Sequence, residues 1–236
     1  MICEYAFSLR TNHWPDPYDK WAQSIESEMP VPYPVLQEFK KSRENTVFLK
    51  CPAHTDYLKN TFVFKSPIDI HFNLDFDQEN AKIFCKNIDQ TIFNNIVDLR
   101  FTSRDNMGNS EYPIIGLDFL NTFVSDQPVT VDITPAFMNH NDFVQKTSVI
   151  PGSYDISKWT RPIECVFEVR NKKCEIDIKK NDALYYIRFR TNDKIKFKKM
   201  NMPWPEIDIC ADLRAEAPFK SLKYRYRQRK NFNNGL

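Results

Sequence analysis

Residues 161–190, RPIECVFEVRNKKCEIDIKKNDALYYIRFR, decide the fold. Apolar and charged residues alternate there in three successive runs, and Tyr186 falls on the charged face of the third; the inward residues are Cys165, Phe167 and Val169, then Cys174, Ile176 and Ile178, then Tyr185, Ile187 and Phe189. A period of two is typical of half-buried antiparallel strands. The turns contain Asn171 and Asn181, and asparagine tolerates the positive φ of tight hairpins. The stretch therefore predicts a three-stranded β-meander facing one core.

The pattern continues on both sides of this stretch. Downstream, Ile195 and Phe197 alternate with three lysines, which is typical of a guarded sheet edge. Upstream, one hairpin is predicted from Phe62 through Ser66-Pro67 into a strand, and a second over residues 120–134. The inward residues of that upstream strand are Ile70, Phe72, Leu74 and Phe76. Residues 87–101 fit a helix or a strand, and we assign a strand only to their end.

These runs predict an all-β protein: an antiparallel β-sandwich or barrel, jelly-roll or double-stranded β-helix in kind, with short helical and proline-rich extensions. At 236 residues we favour one domain. The predicted core spans residues 46–200. Residues 1–45 are interpreted as an irregular N-terminal extension rich in proline and aromatic residues, and residues 201–236 as a proline-containing linker with a basic tail.

The composition excludes several classes of binding site. The chain has only 4 glycines, so neither a phosphate-binding loop nor a dinucleotide fingerprint can be written. Its 6 cysteines include no Cys-x-x-Cys pair, so zinc-finger spacing is absent. The sequence shows no apolar run long enough for a signal peptide or a membrane span. We expect a protein that lives in a reducing cytoplasm or is assembled there, neither secreted nor in a membrane.

Four short strings carry a resemblance: CPA at 51–53, DYLKNTF at 56–62, KSP at 65–67 and RPIE at 161–164. In them the chain resembles uncharacterised proteins of tailed phages, especially marine T4-like phages, and of some bacteria. The resemblance covers residues 46–190 and implies a phage-encoded product, which we expect in the host cytoplasm or in a virion. Because no activity is established for such proteins, it implies no functional residues.

One metal site can be written from the sequence. His54, Asp56 and His140 follow the order of the facial triad of non-haem iron oxygenases, with Lys146 or Arg161 left to pair an oxoacid carboxylate. Fe(II) and 2-oxoglutarate would then be the cofactors. Pro52 and the absence of a strand pattern favour a loop around His54, and in a loop residues i and i+2 need not share a side. We therefore expect the three side chains not to meet.

The C-terminal tail concentrates positive charge. Residues 219–230 contain no acid and six cations, which are Lys220, Lys223, Arg225, Arg227, Arg229 and Lys230. Aromatic residues lie between them, as suits nucleic acid through stacking and phosphate neutralisation. The alternative, which we favour, is an amphipathic helix whose Phe219, Leu222 and Tyr226 dock on the sheet.

The terminal extensions indicate the function. Segments rich in Trp, Tyr and Pro are what a subunit uses to clasp its neighbours. We predict a phage-encoded binding or structural protein that packs into a larger assembly through these extensions, with no catalysis and no cofactor. Its partners would be protein subunits, in a homo-oligomer or a virion, with no membrane. The alternatives are the iron oxygenase and a nucleic-acid-binding accessory protein that acts through the tail.

Overall fold

The computed structural model describes residues 1–9, 25, 29–41, 48–77, 80–101, 112–125, 127–157 and 162–199. Four short α-helices have both ends within these residues: α1 (Val35–Lys41), α2 (Pro52–Leu58), α3 (Gln90–Ile96) and α4 (Asp142–Lys146). The strands are β1 (Ile2–Leu9), β2 (Tyr33–Pro34), β3 (Thr61–Lys65), β4 (Ile70–Asp77), β5 (Asn80–Cys85), β6 (Val97–Phe101), β7 (Ile114–Ser125), β8 (Thr130–Pro135), β9 (Thr147–Val149), β10 (Gly152–Asp155), β11 (Pro162–Val169), β12 (Lys173–Ile178), β13 (Ala183–Phe189) and β14 (Lys196–Lys199).

The described strands form three sheets. A six-stranded sheet has the order β14-β1-β7-β11-β9, with β6 also paired to β7. A five-stranded sheet has the order β10-β8-β13-β3-β2, and a three-stranded sheet the order β12-β4-β5. The described pairs are antiparallel except β1 with β14. The predicted all-β sandwich is confirmed, and the described strands do not close into the barrel offered as its alternative.

One hydrophobic core joins the three sheets. Phe167 belongs to the six-stranded sheet, Ile187 to the five-stranded sheet and Ile176 to the three-stranded sheet, and all three are buried in the same cluster. Cys165, only 1% exposed, lies there too. The prediction that the inward residues of residues 161–190 face one core is confirmed. Full burial of each such aliphatic or aromatic side chain contributes about 1.5–3 kcal/mol.

The predicted meander is wrong. β11, β12 and β13 follow one another in the chain, but each belongs to a different sheet. The two predicted hairpins are wrong for the same reason, since β3 does not pair with β4, nor β7 with β8. Alternation shows which face of a strand is buried, and strands of all three sheets bury their inner faces in the same core. The pattern therefore located the strands and left their partners open.

Two of the crossings between sheets support each other. The connection from β3 to β4 lies beside the one from β12 to β13, where the Asn181 amide donates to the Ser66 carbonyl and the Ser66 amide donates to the Asp182 carbonyl, each at 2.8 Å. Asn181 has the predicted positive φ, at 72°. Its turn serves a change of sheet and not a hairpin, because β3 pairs with β13 while β4 pairs with β12.

The N-terminal segment contains regular structure that the sequence did not indicate. No strand was predicted before residue 46, yet β1 lies between β7 and β14 in the six-stranded sheet. Cys3 of β1 and Phe39 of α1 are buried. The lysine-rich strand β14 ends that sheet, as predicted. The strand predicted at the end of residues 87–101 is β6, directly after α3. The rest of the domain division stays a prediction.

Side chains from two helices cover the edges of the three-stranded sheet. On β5, the Gln90 carboxamide accepts from the Cys85 amide at 3.0 Å and donates to the Ile83 carbonyl at 3.2 Å, as a neighbouring strand would. On β12, Asp142 accepts from the Asp177 amide at 2.8 Å, and Lys146 donates to the Glu175 carbonyl at 2.6 Å. Unpaired edge groups are a template for aggregation, and these contacts occupy two of them on each edge.

Candidate binding surface

The candidate metal ligands lie on α2 and on the connection before α4. The segment around His54, predicted as a loop, is helix α2 and begins with Pro52. Proline suits the first turn of a helix because its missing N–H has no intrahelical partner there. His54 and Asp56 are therefore about 200° apart around the helix axis. Both are exposed, and so is His140.

The described residues bring no metal-ligand set together. Within them, no group of three or more His, Cys, Asp or Glu residues is placed to hold a metal ion. His54, Asp56 and His140 do not form such a group, so the iron and 2-oxoglutarate alternative has no ligand set in this part of the chain. The tail cations Lys220, Lys223, Arg225, Arg227, Arg229 and Lys230 lie outside the described residues, and their role stays a prediction.

Three side chains form a cluster at the surface, which we call the aromatic strip: the exposed Tyr57 and Phe137 and the half-buried Arg188. Tyr57 is 39% exposed and Phe137 48% exposed, and their ring centroids are 6.2 Å apart. The Arg188 guanidinium carbon lies 4.6 Å from the Tyr57 ring centroid. Aromatic rings and a stacked guanidinium therefore share one continuous surface, which combines apolar area with positive charge.

Each member of the aromatic strip is held by a different element. Tyr57 is in the last turn of α2, beside the buried Leu58, and Arg188 is near the end of β13. Phe137 lies in a turn closed by the Asn139 amide, which donates to the Ala136 carbonyl at 2.8 Å.

Beneath the strip, Phe137 packs edge-on against Tyr186 at 5.3 Å between centroids. The hydroxyl of the buried Tyr186 accepts from Asn139 Nδ2 at 2.8 Å. Burial raises the pKa of Tyr186 above its usual range. The turn that carries Phe137 is thus fixed from below by a neutral, hydrogen-bonded tyrosine.

A cationic cleft of about 340 Å³ adjoins the strip at Arg188. Lys59 and Arg190 also line it, with Asp56 the acid among its lining residues. Arg190 Nε donates to Asp132 at 2.7 Å. Asn60 has a φ of 55°, and its Nδ2 donates to the Thr191 carbonyl at 2.7 Å, which holds one wall. Asparagine accepts this left-handed conformation more readily than most residues.

A second, apolar cleft of about 330 Å³ adjoins the strip at Phe137. Its buried lining includes Phe143, Val149 and Leu184, and Arg170 and His140 are the exposed basic residues beside them. The aromatic strip thus lies between one cleft that is mainly cationic and one that is mainly apolar.

No family model matches this chain. Nor does any curated protein or solved structure match it. The described part of the chain contains no helix with the length and apolar character needed to cross a membrane.

The sequence did not indicate the aromatic strip. Tyr57 and Phe137 are far apart in the chain, and no local pattern shows that they touch. A weaker signal was present: Phe137 follows Pro135-Ala136 and precedes Asn139, so it lies in turn-forming sequence, where an aromatic residue has no strand face to occupy. Tyr186 was assigned to the charged face of its strand, but it is buried because β13 is covered on both faces.

Proposed function

We propose that this chain is a phage-encoded binding or structural protein that packs against other protein subunits in a larger assembly and has no catalytic role. The resemblance of residues 46–190 to phage proteins supports the source. The contact of Tyr57, Phe137 and Arg188 on the surface carries the binding role. Aromatic residues and arginine are enriched at the cores of protein interfaces, where a few of them supply most of the binding energy.

The aromatic strip is already ordered for binding. Tyr57 contacts both other members, and Phe137 packs on Tyr186 from below. A partner that covers the rings therefore pays less side-chain entropy than it would for freely rotating side chains. Such pre-ordered aromatic residues are efficient anchors, since they offer a large contact area with few rotatable bonds.

We propose a homo-oligomer as the first assembly to test. Sedimentation velocity of the full chain is expected to show concentration-dependent association below about 100 µM. The double substitution Tyr57→Ser/Phe137→Ser is expected to weaken association by at least about tenfold, since each truncated anchor costs on the order of 1–2 kcal/mol.

Phe84→Ser is the matched control. Phe84 is the most exposed of the large hydrophobic residues described, at 60%, and lies on β5 in the three-stranded sheet. Its substitution removes comparable exposed apolar area and should leave association unchanged. A chain that stays monomeric throughout, or equal weakening in the control, would count against self-assembly through the aromatic strip.

The extensions keep their proposed role only where they lie outside the described sheets. β1 is built into the six-stranded sheet and is not available to clasp a neighbour. Residues 201–236 follow β14, which lies at the edge of that sheet. We therefore propose that C-terminal contacts to a neighbouring subunit add to those of the aromatic strip.

A further inference from the structure

The apolar cleft has the form of a small-molecule site. Its volume of about 330 Å³ falls at the small end of the range found for ligand pockets. Phe143, Val149 and Leu184 are almost fully buried and supply apolar lining. Phe137, about half exposed, lies where the cleft meets the aromatic strip. A ligand that entered would exchange water for carbon contacts along its body.

The charge that lines the apolar cleft is positive. Its lining residues include no Asp or Glu, and Arg170 is the only Lys or Arg among them. The Arg170 backbone amide donates to the Lys146 carbonyl at 2.9 Å, and its guanidinium donates one N–H to the Gln145 carbonyl at 3.1 Å. Among the described residues no carboxylate pairs with Arg170, in contrast to Arg190, which pairs with Asp132. A guanidinium has five N–H donors, so this anchor leaves donors for a ligand.

We propose that the apolar cleft binds a small monocarboxylate with an apolar body. The carboxylate lies on the guanidinium of Arg170, whose planar donors match its two oxygens, and the body contacts Phe143, Val149 and Leu184. A single arginine balances a single negative charge. The cleft offers no second fixed cation for a phosphate dianion, which would leave charge uncompensated on desolvation.

The test compares 3-phenylpropionate with its neutral amide on the full chain. Titration followed by protein NMR shifts is expected to give a dissociation constant on the order of 1 mM for the acid, as the size of the ligand allows. The amide has nearly the same shape without the charge, and it is expected to bind about ten- to a hundredfold more weakly.

Two substitutions locate the site. Arg170→Gln, at an exposed position, is expected to weaken binding of the acid by the same ten- to a hundredfold, whereas Lys172→Gln in the same turn should leave it unchanged. Ser148→Trp places a large side chain at an exposed lining position and is expected to abolish binding of both compounds. Thermal midpoints within about 2 °C of the unsubstituted chain show that the variants are folded.

Three results would overturn the proposal: equal affinity for acid and amide, retained affinity in Arg170→Gln, or no binding at about 10 mM ligand. The proposal does not depend on the assembly of subunits. Because sedimentation reads self-association and the titration reads a small ligand, either can fail while the other stands.

Discussion

Replacing Gln90 by alanine should destabilise the protein by about 2 kcal/mol. The Gln90 carboxamide forms two hydrogen bonds to the outer edge of β5, to the Cys85 amide and the Ile83 carbonyl. Each is worth about 0.5–1.5 kcal/mol net, and more where the group left behind is shielded from water, as beside the buried Cys85. Alanine recovers a few tenths of a kcal/mol through its higher helix propensity. The sum lies near 2 kcal/mol.

The assay is urea unfolding followed by circular dichroism, with thermal unfolding as a second measure. For a chain of this length 2 kcal/mol corresponds to a fall of about 4–8 °C in the thermal midpoint. Asn94→Ala is the matched control, because Asn94 is exposed on the same helix and accepts a hydrogen bond from Gln90 Nε2 at 2.7 Å. It should cost less than about 0.5 kcal/mol. Equal losses in the two variants would refute the view that Gln90 acts as an extra strand.

Three further predictions concern the core, the buried acids and the tail. Ile176→Asp should cost about 3–5 kcal/mol in the same unfolding assay, because it places a charge in the core. Asp177→Asn removes an ion pair to the exposed Lys179 and should be nearly silent. Burial raises the pKa of Cys165 and of Tyr186, so the unfolded chain ionises first, from near pH 9.0 and pH 10.0 respectively. Stability is therefore fully present below pH 9 and falls as the pH rises. Tyr186→Phe should reduce the part that begins near pH 10, to which the buried Tyr185 also contributes because burial raises its pKa as well. Residues 219–230 should bind nucleic acid only weakly; tight binding through all six cations would give a slope of log K against log salt of about −4 to −5.

Each of these has a contrary outcome. Equal costs for Ile176→Asp and Asp177→Asn would show that the strand register is wrong. An unfolding free energy that stays constant between pH 9 and 11 would contradict the raised pKa values of the buried thiol and phenol. Tight binding of DNA or RNA with the steep salt slope, lost on deletion of residues 219–230, would replace the structural interpretation of the tail.

The sequence predicted strands well and their pairing poorly, and the two results have one physical cause. Burial against a core imposes a period of two on residues 173–178 whichever strand lies beside them. Pairing depends on where the chain turns, and the connections at residues 66–69 and 179–182 are supported by each other, across more than 100 positions of sequence. No local pattern contains that information. The burial of Tyr186 was not predicted for a related reason. The residues that cover the other face of β13, including Val35 and Phe39 of α1, are distant from it in the chain.

Even less of the candidate surface than of the strand pairing could be predicted from the sequence. Proline and other turn-forming residues mark the loop that carries Phe137. Its ring contacts Tyr57, however, and no sequence motif links these two segments. The helix at His54 shows the same limit at short range. Pro52 was interpreted as a sign of a loop, although proline is equally suited to begin a helix. Interpreting this proline required knowledge of what the helix packs against. That contact exists only in three dimensions, where Leu58 is buried in a smaller hydrophobic cluster with Val35 and Phe39 of α1.

The position of β1 has a consequence for how the chain folds as it is made. β1 pairs with β7 and with β14, in a register that joins Ile2 to Lys196. Such distant pairing requires large loops to close, and the entropy of closure is lost before the contacts between the strands stabilise the fold. Folding should therefore be slow, in the range of milliseconds to seconds. At typical rates of synthesis the ribosome needs about 10–40 s to pass from β1 to β14. During that time β1 can pair with β7, but the other edge of β1 stays unpaired until β14 emerges.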